Sequence, residues 1–300
     1  MNEKSQMIIL DEKKYSEKCL KNGLMDLKPY YVLCLLAKYY YHHLGYRKKK
    51  ITSLLLDYLS KYYPRYEFNE FSWKESIDKI ARNVGKHKLY EISGVKITKS
   101  EMETIQNIHN KVLERLAFTM LCLAKFYNLK NPKNNGWVNT DSKEIYKYAR
   151  ISCKAIEREI KIGKLRNIGL IELPKKNGNL NCRVTFINDD DDEELFISDF
   201  RELGYEYLLY KGGNFIRCAE CGILTRGNKS GNKKYCKDCA TYTPKGTKII
   251  TCVDCGKEFE VDALSRRIRC DMCHKEERKR INKENQRKWK EKNKNNTSSF

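Results

Sequence analysis

The sequence predicts a mainly α-helical protein with small β elements. Apolar side chains recur at helical spacing through most of the first half of the chain, which is typical of packed helices. Between residues 218 and 273, eight cysteines form four Cys-x2-Cys pairs, a spacing typical of small hairpins held by zinc. Residues 275–300 are rich in lysine and arginine and have no apolar stripe, which indicates an exposed basic helical tail.

Residues 1–97 are predicted to form a helical domain. Leu33, Leu36 and Tyr40 fall at helical spacing and give the first long helix one apolar face. Ser72 is followed three residues later by Glu75, the spacing of a capping box, so a helix is expected to begin there. The expected helices span residues 27–44, 49–62 and 73–84.

Residues 98–188 are predicted to form a second domain of helices and a β-hairpin. Thr98 and Glu101 form another capping box, which is expected to open one long helix through Phe126. Asn177-Gly178 accepts the positive φ angles of a tight hairpin turn. The other elements are expected in this order: a strand at 137–139, a helix at 142–149, a helix at 153–167 that Gly169 ends, and strands at 170–173 and 180–187.

This order of elements is that of a winged helix. Leu165, Gly169, Leu170 and Ile171 resemble the Leu-x3-Gly-Leu-Ile junction that recurs in winged helix-turn-helix proteins. The resemblance implies that helix 153–167 enters the major groove and that the hairpin lies along the DNA backbone. The nucleic-acid contacts that follow from it are Lys154, Arg158, Lys161, Lys175 and Lys176.

Which face of helix 153–167 would read bases stays open. Its three cations share a face with Leu165, whereas Ile156 and Ile160 lie on the opposite one. Winged helices also serve as docking modules for proteins, so the resemblance is compatible with either kind of partner.

Residues 189–213 are predicted to be an acidic linker and a helix. Residues 189–194 are six consecutive acids. A contiguous run of this kind is typical of a solvated linker, because Mg²⁺ sites gather carboxylates from separate elements. A helix at 198–210 is expected to lead through Gly212-Gly213 into the cysteine-rich segment.

The cysteine spacing predicts two structural zinc sites. Each Cys-x2-Cys turn aims two thiolates at one metal, and two such turns complete a closed tetrahedron with no position for catalytic water. Glycine follows the first pair of each unit, which permits the positive-φ turn that brings backbone N–H groups near the sulfurs. The expected ligands of two Zn²⁺ ions are Cys218, Cys221, Cys236 and Cys239 in module 1 (residues 214–245) and Cys252, Cys255, Cys270 and Cys273 in module 2 (residues 246–274).

Two alternatives remain open for these ligands. The second pair of module 1 and the first pair of module 2 have an admissible separation for one central site. His274, beside Cys273, is an alternative to one thiolate. The scattered cysteines are expected to be small core residues: Cys19, Cys34, Cys122, Cys153 and Cys182.

Positive charge is concentrated around these cysteines. The chain carries a formal charge of +21, and residues 211–300 contribute 23 Lys and Arg against 11 Asp and Glu. Such an excess is typical of proteins that bind nucleic acid, although a lysine-rich proteome explains part of it. The candidate phosphate contacts are Arg266, Arg267, Arg269, Lys275, Arg278, Lys279, Arg280, Arg287 and Lys288.

Two further resemblances concern biological context. The runs Leu33-x2-Leu36-Ala37, Leu44-Gly45, Leu55-x3-Leu59 and Ile77-x2-Ile80 resemble the small helical module after the catalytic region of some phage and plasmid primases. The Cys-x2-Cys pairs followed by a basic segment resemble the endings of many bacteriophage proteins. Both imply a phage or mobile-element protein with partners among replication or transcription proteins.

The expected function is non-enzymatic binding of nucleic acid, DNA rather than RNA, in replication or transcription control. The sequence contains no P-loop, no His-Glu-x2-His and no nucleophile elbow. The alternatives are a protein-protein adaptor in a replication or virion assembly, and an enzyme such as a nuclease or primase accessory. The polar N-terminus and short apolar runs predict a cytoplasmic protein with no membrane partner.

Overall fold

The structure, a computed structural model, describes residues 8–23, 27–174, 181–241, 246–262 and 265–297. It is mainly helical with small two- and three-stranded sheets, which confirms the predicted fold class. The chain divides into two compact units, residues 1–236 and 237–300.

Four helices close to the N-terminus share one apolar core, in which Leu36, Leu55 and Ile77 are fully buried. The third predicted helix starts earlier than expected, because Asn69 and not Ser72 precedes its first turn. The prediction of a capping box at Ser72 and Glu75 is therefore wrong, because both residues lie inside the helix. The four helices are α1 (Glu12–Asn22), α2 (Pro29–His42), α3 (Lys48–Tyr62) and α4 (Glu70–Asn83).

The second core is built around one long helix. The predicted capping box at Thr98 and Glu101 is confirmed. The helix that it opens ends after two turns, however, and Asn110 starts a new one by accepting hydrogen bonds from the Val112 and Leu113 amides. The predicted single helix is thus two. The elements are strand β1 (Val95–Thr98), α5 (Lys99–Gln106) and the largely buried α6 (Lys111–Lys130).

A three-stranded antiparallel sheet and two helices pack on α6. The last of the three strands in sequence lies between the other two and is therefore central. Ile162 and Leu165 bury the inner side of the second helix. The hairpin turn at residues 175–180 lies outside the described residues. The elements are β2 (Trp137–Val138), α7 (Ser142–Tyr148), α8 (Ala155–Asn167), β3 (Ile171–Glu172) and β4 (Cys182–Val184).

The acidic run is part of the fold and is not a free linker, although five of its six side chains are exposed as predicted for a solvated run. Strand β5 (Glu193–Ile197) pairs antiparallel with β1. The Asp191 carboxylate accepts a 2.8 Å hydrogen bond from the Ser100 amide, and Asp192 lies 3.1 Å from the Lys99 ammonium. Acids are stabilised there because the first amides of α5 are unpaired and its dipole is positive at this end. The predicted 198–210 helix is shorter, α9 (Leu203–Tyr210).

The described residues of the cysteine-rich segment form two hairpins, a short helix and a long helix. None of the helices in the described ranges combines the length and hydrophobicity that a bilayer span requires. The elements are β6 (Phe215–Arg217), β7 (Leu224–Arg226), α10 (Lys237–Thr241), β8 (Thr247–Thr251), β9 (Glu258–Asp262) and α11 (Asp271–Thr297).

Candidate metal centres and their cationic surroundings

The eight paired cysteines form two groups of four thiols. Within each group the sulfur atoms lie within 4.8 Å of one another. The groups follow the sequence, so the central-site alternative is wrong, and His274 belongs to neither group. Four thiolates at this separation fit tetrahedral Zn²⁺, and the two groups fit two zinc ions as predicted. The groups are Cys218, Cys221, Cys236 and Cys239, and Cys252, Cys255, Cys270 and Cys273.

Both sites are built by the same backbone, repeated 34 residues further along the chain. In module 1 the Cys218 amide donates to the Ile223 carbonyl, and the Gly222 amide donates to the Cys218 carbonyl, both at 2.9 Å. Module 2 repeats both bonds at 2.9 Å, from Cys252 to Lys257 and from Gly256 to Cys252. Both glycines have φ near +70°, a conformation that a side chain disfavours. The sequence expectation for these glycines is confirmed.

A third repeated bond joins the two halves of each module. The Ala219 amide donates to the Lys234 carbonyl at 2.9 Å, and the Val253 amide donates to the Ile268 carbonyl at 3.0 Å. Each bond holds the first Cys-x2-Cys turn beside the segment that leads to the second. The backbone hydrogen bond therefore places two sulfurs from separate turns close together.

The first cysteine of each group has a depressed pKa. Burial raises the pKa of Cys218, but hydrogen bonds from the backbone amides of Cys221, Cys236 and Glu220 outweigh it and bring the pKa to about 6. The Cys270 amide is the main cause that lowers the pKa of Cys252, also to about 6, and its nitrogen lies 3.4 Å from the sulfur. Both thiols are thus largely thiolates at neutral pH.

Zinc affinity is expected to fall as the pH drops and to fall most steeply below about 6, where Cys218 and Cys252 also become protonated. Thiolates bind the metal and protons compete for them, so binding is favoured above this pKa and opposed below it. Competition with a chromophoric chelator in a pH series around this value measures the effect. An affinity independent of pH across that range would contradict thiolate ligation at both sites.

Module 1 is held against the helical core by polar and apolar contacts. The Arg201 guanidinium donates a 3.0 Å hydrogen bond to the Cys221 carbonyl. Arg217 forms a 2.9 Å ion pair with the largely buried Glu206 of α9. Leu224 of β7 is buried. This module therefore shares its stability with the core on which it packs.

Module 2 has a small interior and a charged, partly apolar exterior. Two of its three arginines that were predicted to contact phosphates form ion pairs at 2.6 Å, Arg267 with Asp271 and Arg269 with Asp254. Sequence reasoning missed both carboxylates, although the i,i+4 spacing of the first pair is a usable signal. Arg266 is exposed and has no ion pair with a described residue.

Helix α11 begins within module 2, between Cys270 and Cys273. Its side chains from Arg278 to Trp289 are all exposed. Within the helix, Glu284 and Lys288 pair at 2.9 Å, and Arg280 pairs with Glu277 and not with Glu276. The predicted cations without an ion pair to a described residue are Lys275, Arg278 and Lys279, and Lys283 joins them.

The predicted contacts on α8 do not form one exposed cationic face. Lys154 is exposed at the N-cap, but Arg158 is half-buried and Lys161 lies 3.7 Å from Glu157. These positions turn toward the core because Ile162 and Leu165 are buried there. Lys175 and Lys176 lie outside the described residues.

Comparisons with protein-family models, curated proteins and solved structures found no match to this chain.

Proposed function

We propose that this chain is a zinc-dependent nucleic-acid-binding protein, more suited to DNA than to RNA, which acts in the replication or transcription of a phage or mobile element. The observation that carries the proposal is α11, an exposed cationic helix that starts inside a four-cysteine group.

The spacing of cations on α11 supports contact with a phosphate backbone. Lys275, Lys279 and Lys283 recur every four residues, so they follow one side of the helix, and Arg278 lies beside them. None of the four forms an ion pair with a described residue, so no such pair must be broken before they meet phosphates. Phosphate contacts of this kind release counterions, which supplies affinity without reading sequence.

The zinc groups supply rigidity for this contact. Cys270 and Cys273 flank the first turn of α11, so the metal that they bind fixes where the helix begins. The ion pair of Arg267 is exposed and that of Arg269 is partly exposed, so both are weak, and each guanidinium keeps further N–H donors for phosphate oxygens.

The central domain is proposed to be a winged helix. The succession of α6, β2, α7, α8, β3 and β4, with a three-stranded sheet in the order β2-β4-β3, supports this. Because Arg158 and Lys161 of α8 turn toward the core, the proposal gives the strongest phosphate contacts to α11 and not to α8. If α11 and the central domain each bind the same polymer weakly, binding of one raises the effective concentration of the other.

A protein adaptor is the second candidate function. Val253, Ile268 and Met272 of module 2 are all exposed apolar side chains. The first two are adjacent, because their backbones are hydrogen-bonded. Exposed apolar groups beside a zinc site favour contact with a protein or with unstacked bases.

The test neutralises the unpaired cations of α11 in the zinc-loaded full chain. The substitutions are Lys275→Gln, Arg278→Gln, Lys279→Gln and Lys283→Gln together. Salt-titrated binding to duplex DNA, single-stranded DNA and RNA is measured by fluorescence anisotropy. We expect the slope of log affinity against log salt on duplex to shrink by roughly 0.9 for each lost contact.

A matched control removes four exposed lysines that lie on other helices: Lys21, Lys79, Lys111 and Lys143. It lowers the net charge equally, so it separates a local contact from a general field effect. Equal losses in the two variants would contradict a binding role specific to α11. No salt-sensitive binding of the unmodified chain to any of the three polymers would overturn the proposal and favour the adaptor.

A further inference from the structure

The outward side of α8 is apolar and covered by no described residue. Ile156 is 70% exposed and Ile160 is 53% exposed, one turn apart on the same face. Gly163 continues that face, and a Cβ built there would meet no atom within 4 Å. The opposite side of the helix is buried through Ile162 and Leu165. Two exposed isoleucines beside a bare glycine form a shallow apolar strip.

This strip suits neither duplex DNA nor a phosphate backbone. Ile156 and Ile160 offer no donor for base edges or phosphates, and Glu157 and Glu159 lie beside them. Carboxylates at that position repel phosphates. An apolar strip rimmed by charges is typical of a contact between proteins.

The charges that rim the strip are arranged head to tail. At 3.6 residues per turn, Glu159 and Arg166 lie along one flank, and Glu157 and Lys164 lie along the other. On each flank the acid is nearer the N-terminus of α8 and the base is nearer its C-terminus. Glu159, Lys164 and Arg166 form no ion pair with a described residue, and Glu157 has only the 3.7 Å contact with Lys161.

We propose that this face of α8 binds the same face of a second copy of this chain, with the two helices antiparallel. A two-fold axis between positions 161 and 162 sets Ile160 against Gly163 of the other copy. It also brings Glu159 and Arg166 together on one flank and Glu157 and Lys164 together on the other, each pair offset by about 3 Å along the helix axes, within the reach of these long side chains. Each contact then occurs twice, as in any two-fold interface.

The charge order favours a second copy over a different partner. A parallel arrangement of two α8 helices would set acid against acid and base against base. The antiparallel arrangement satisfies all eight charges with one surface and needs no second sequence. The glycine lets the helix backbones approach closely around the axis, as small residues do at helix contacts.

Sedimentation velocity of the zinc-loaded full chain over a concentration series tests the proposal. We expect a monomer–dimer equilibrium, which Ile160→Glu weakens by about a hundredfold or more because the substitution acts in both copies. Ile156→Glu provides an independent second variant. The matched control is Ile249→Glu, which changes another exposed isoleucine, on β8, and is expected to leave the equilibrium unchanged.

Charge reversal tests whether the partner of this face is a second copy of the chain. Glu159→Arg is expected to weaken the dimer, because it sets two arginines against each other. Glu159→Arg combined with Arg166→Glu restores the pairing within a dimer of the double variant. A chain that stays monomeric at every concentration, a dimer that Ile160→Glu does not weaken, or a double variant that is not restored would each overturn the proposal. Binding to nucleic acid is measured separately, so failure of one proposal does not decide the other.

Discussion

Cys252→Ser is expected to leave one zinc ion on each chain in place of two and to unfold residues 246–274. The apolar interior of this module is very small: among its described residues only Cys252 and Val261 are buried hydrophobic groups. A segment of this size cannot fold on apolar burial alone, so the metal supplies the missing stability. Elemental analysis gives the zinc content, and amide resonances of residues 246–274 report the unfolding.

Cys218→Ser should also remove one zinc ion but should damage a different part of the chain. Module 1 contacts the helical core through Arg201, Arg217 and Leu224, so its loss is expected to lower the unfolding midpoint of that core as well. Cys153→Ser is the matched control, since Cys153 belongs to neither group, and should keep two zinc ions. Two bound zinc ions in the Cys252→Ser variant would contradict the four-thiolate assignment.

Glu101→Ala is expected to destabilise the core around α6 by about 3–5 kcal/mol, the usual cost of removing one partner of a buried ion pair. The Glu101 side chain is fully buried and its carboxylate lies 2.8 Å from the Lys125 ammonium. It also accepts hydrogen bonds from the backbone amides of Thr98 and Asn188. Removing it leaves Lys125 buried, and the exposed Asp189 at 3.0 Å is then its one ion-pair partner among the described residues.

Urea unfolding followed by circular dichroism measures this loss. Glu103→Ala is the matched control, because Glu103 is exposed on the same helix, and it should change the free energy of unfolding by less than about 0.5 kcal/mol. Glu101→Gln should fall between the two, since the amide oxygen still accepts one backbone hydrogen bond. A loss below about 1 kcal/mol for Glu101→Ala would contradict a stabilising role for the buried pair.

The cysteine spacing predicted the metal centres well because the signal is local. Cys-x2-Cys turns carry their geometry in a few residues, and Gly222 and Gly256 mark the positive φ that each turn requires. The choice between sequential and central pairing was not decided by spacing. It depends on the hydrogen bonds from Ala219 to Lys234 and from Val253 to Ile268, which join residues about fifteen positions apart.

The wrong predictions have both distant and local causes. The acidic run looks like a linker until Ser100 and Lys99, about ninety residues away, bind Asp191 and Asp192. The break between α5 and α6 also carries no glycine or proline; it is marked by His109 at φ 52° and by the Asn110 cap. A local sequence pattern cannot predict such interactions, because the same residues are also compatible with a solvated loop or a continuous helix.

Helix α11 has 27 residues, with a cysteine group at one end. At about 1.5 Å per residue it is a rod of roughly 40 Å, comparable to about twelve base pairs of duplex. Zinc therefore fixes the orientation of this rod: with the metal bound, the helix leaves the cysteine group in one direction, and without it the same charges would have no fixed orientation. Metal supply would then control the orientation of the cationic helix and not its charge.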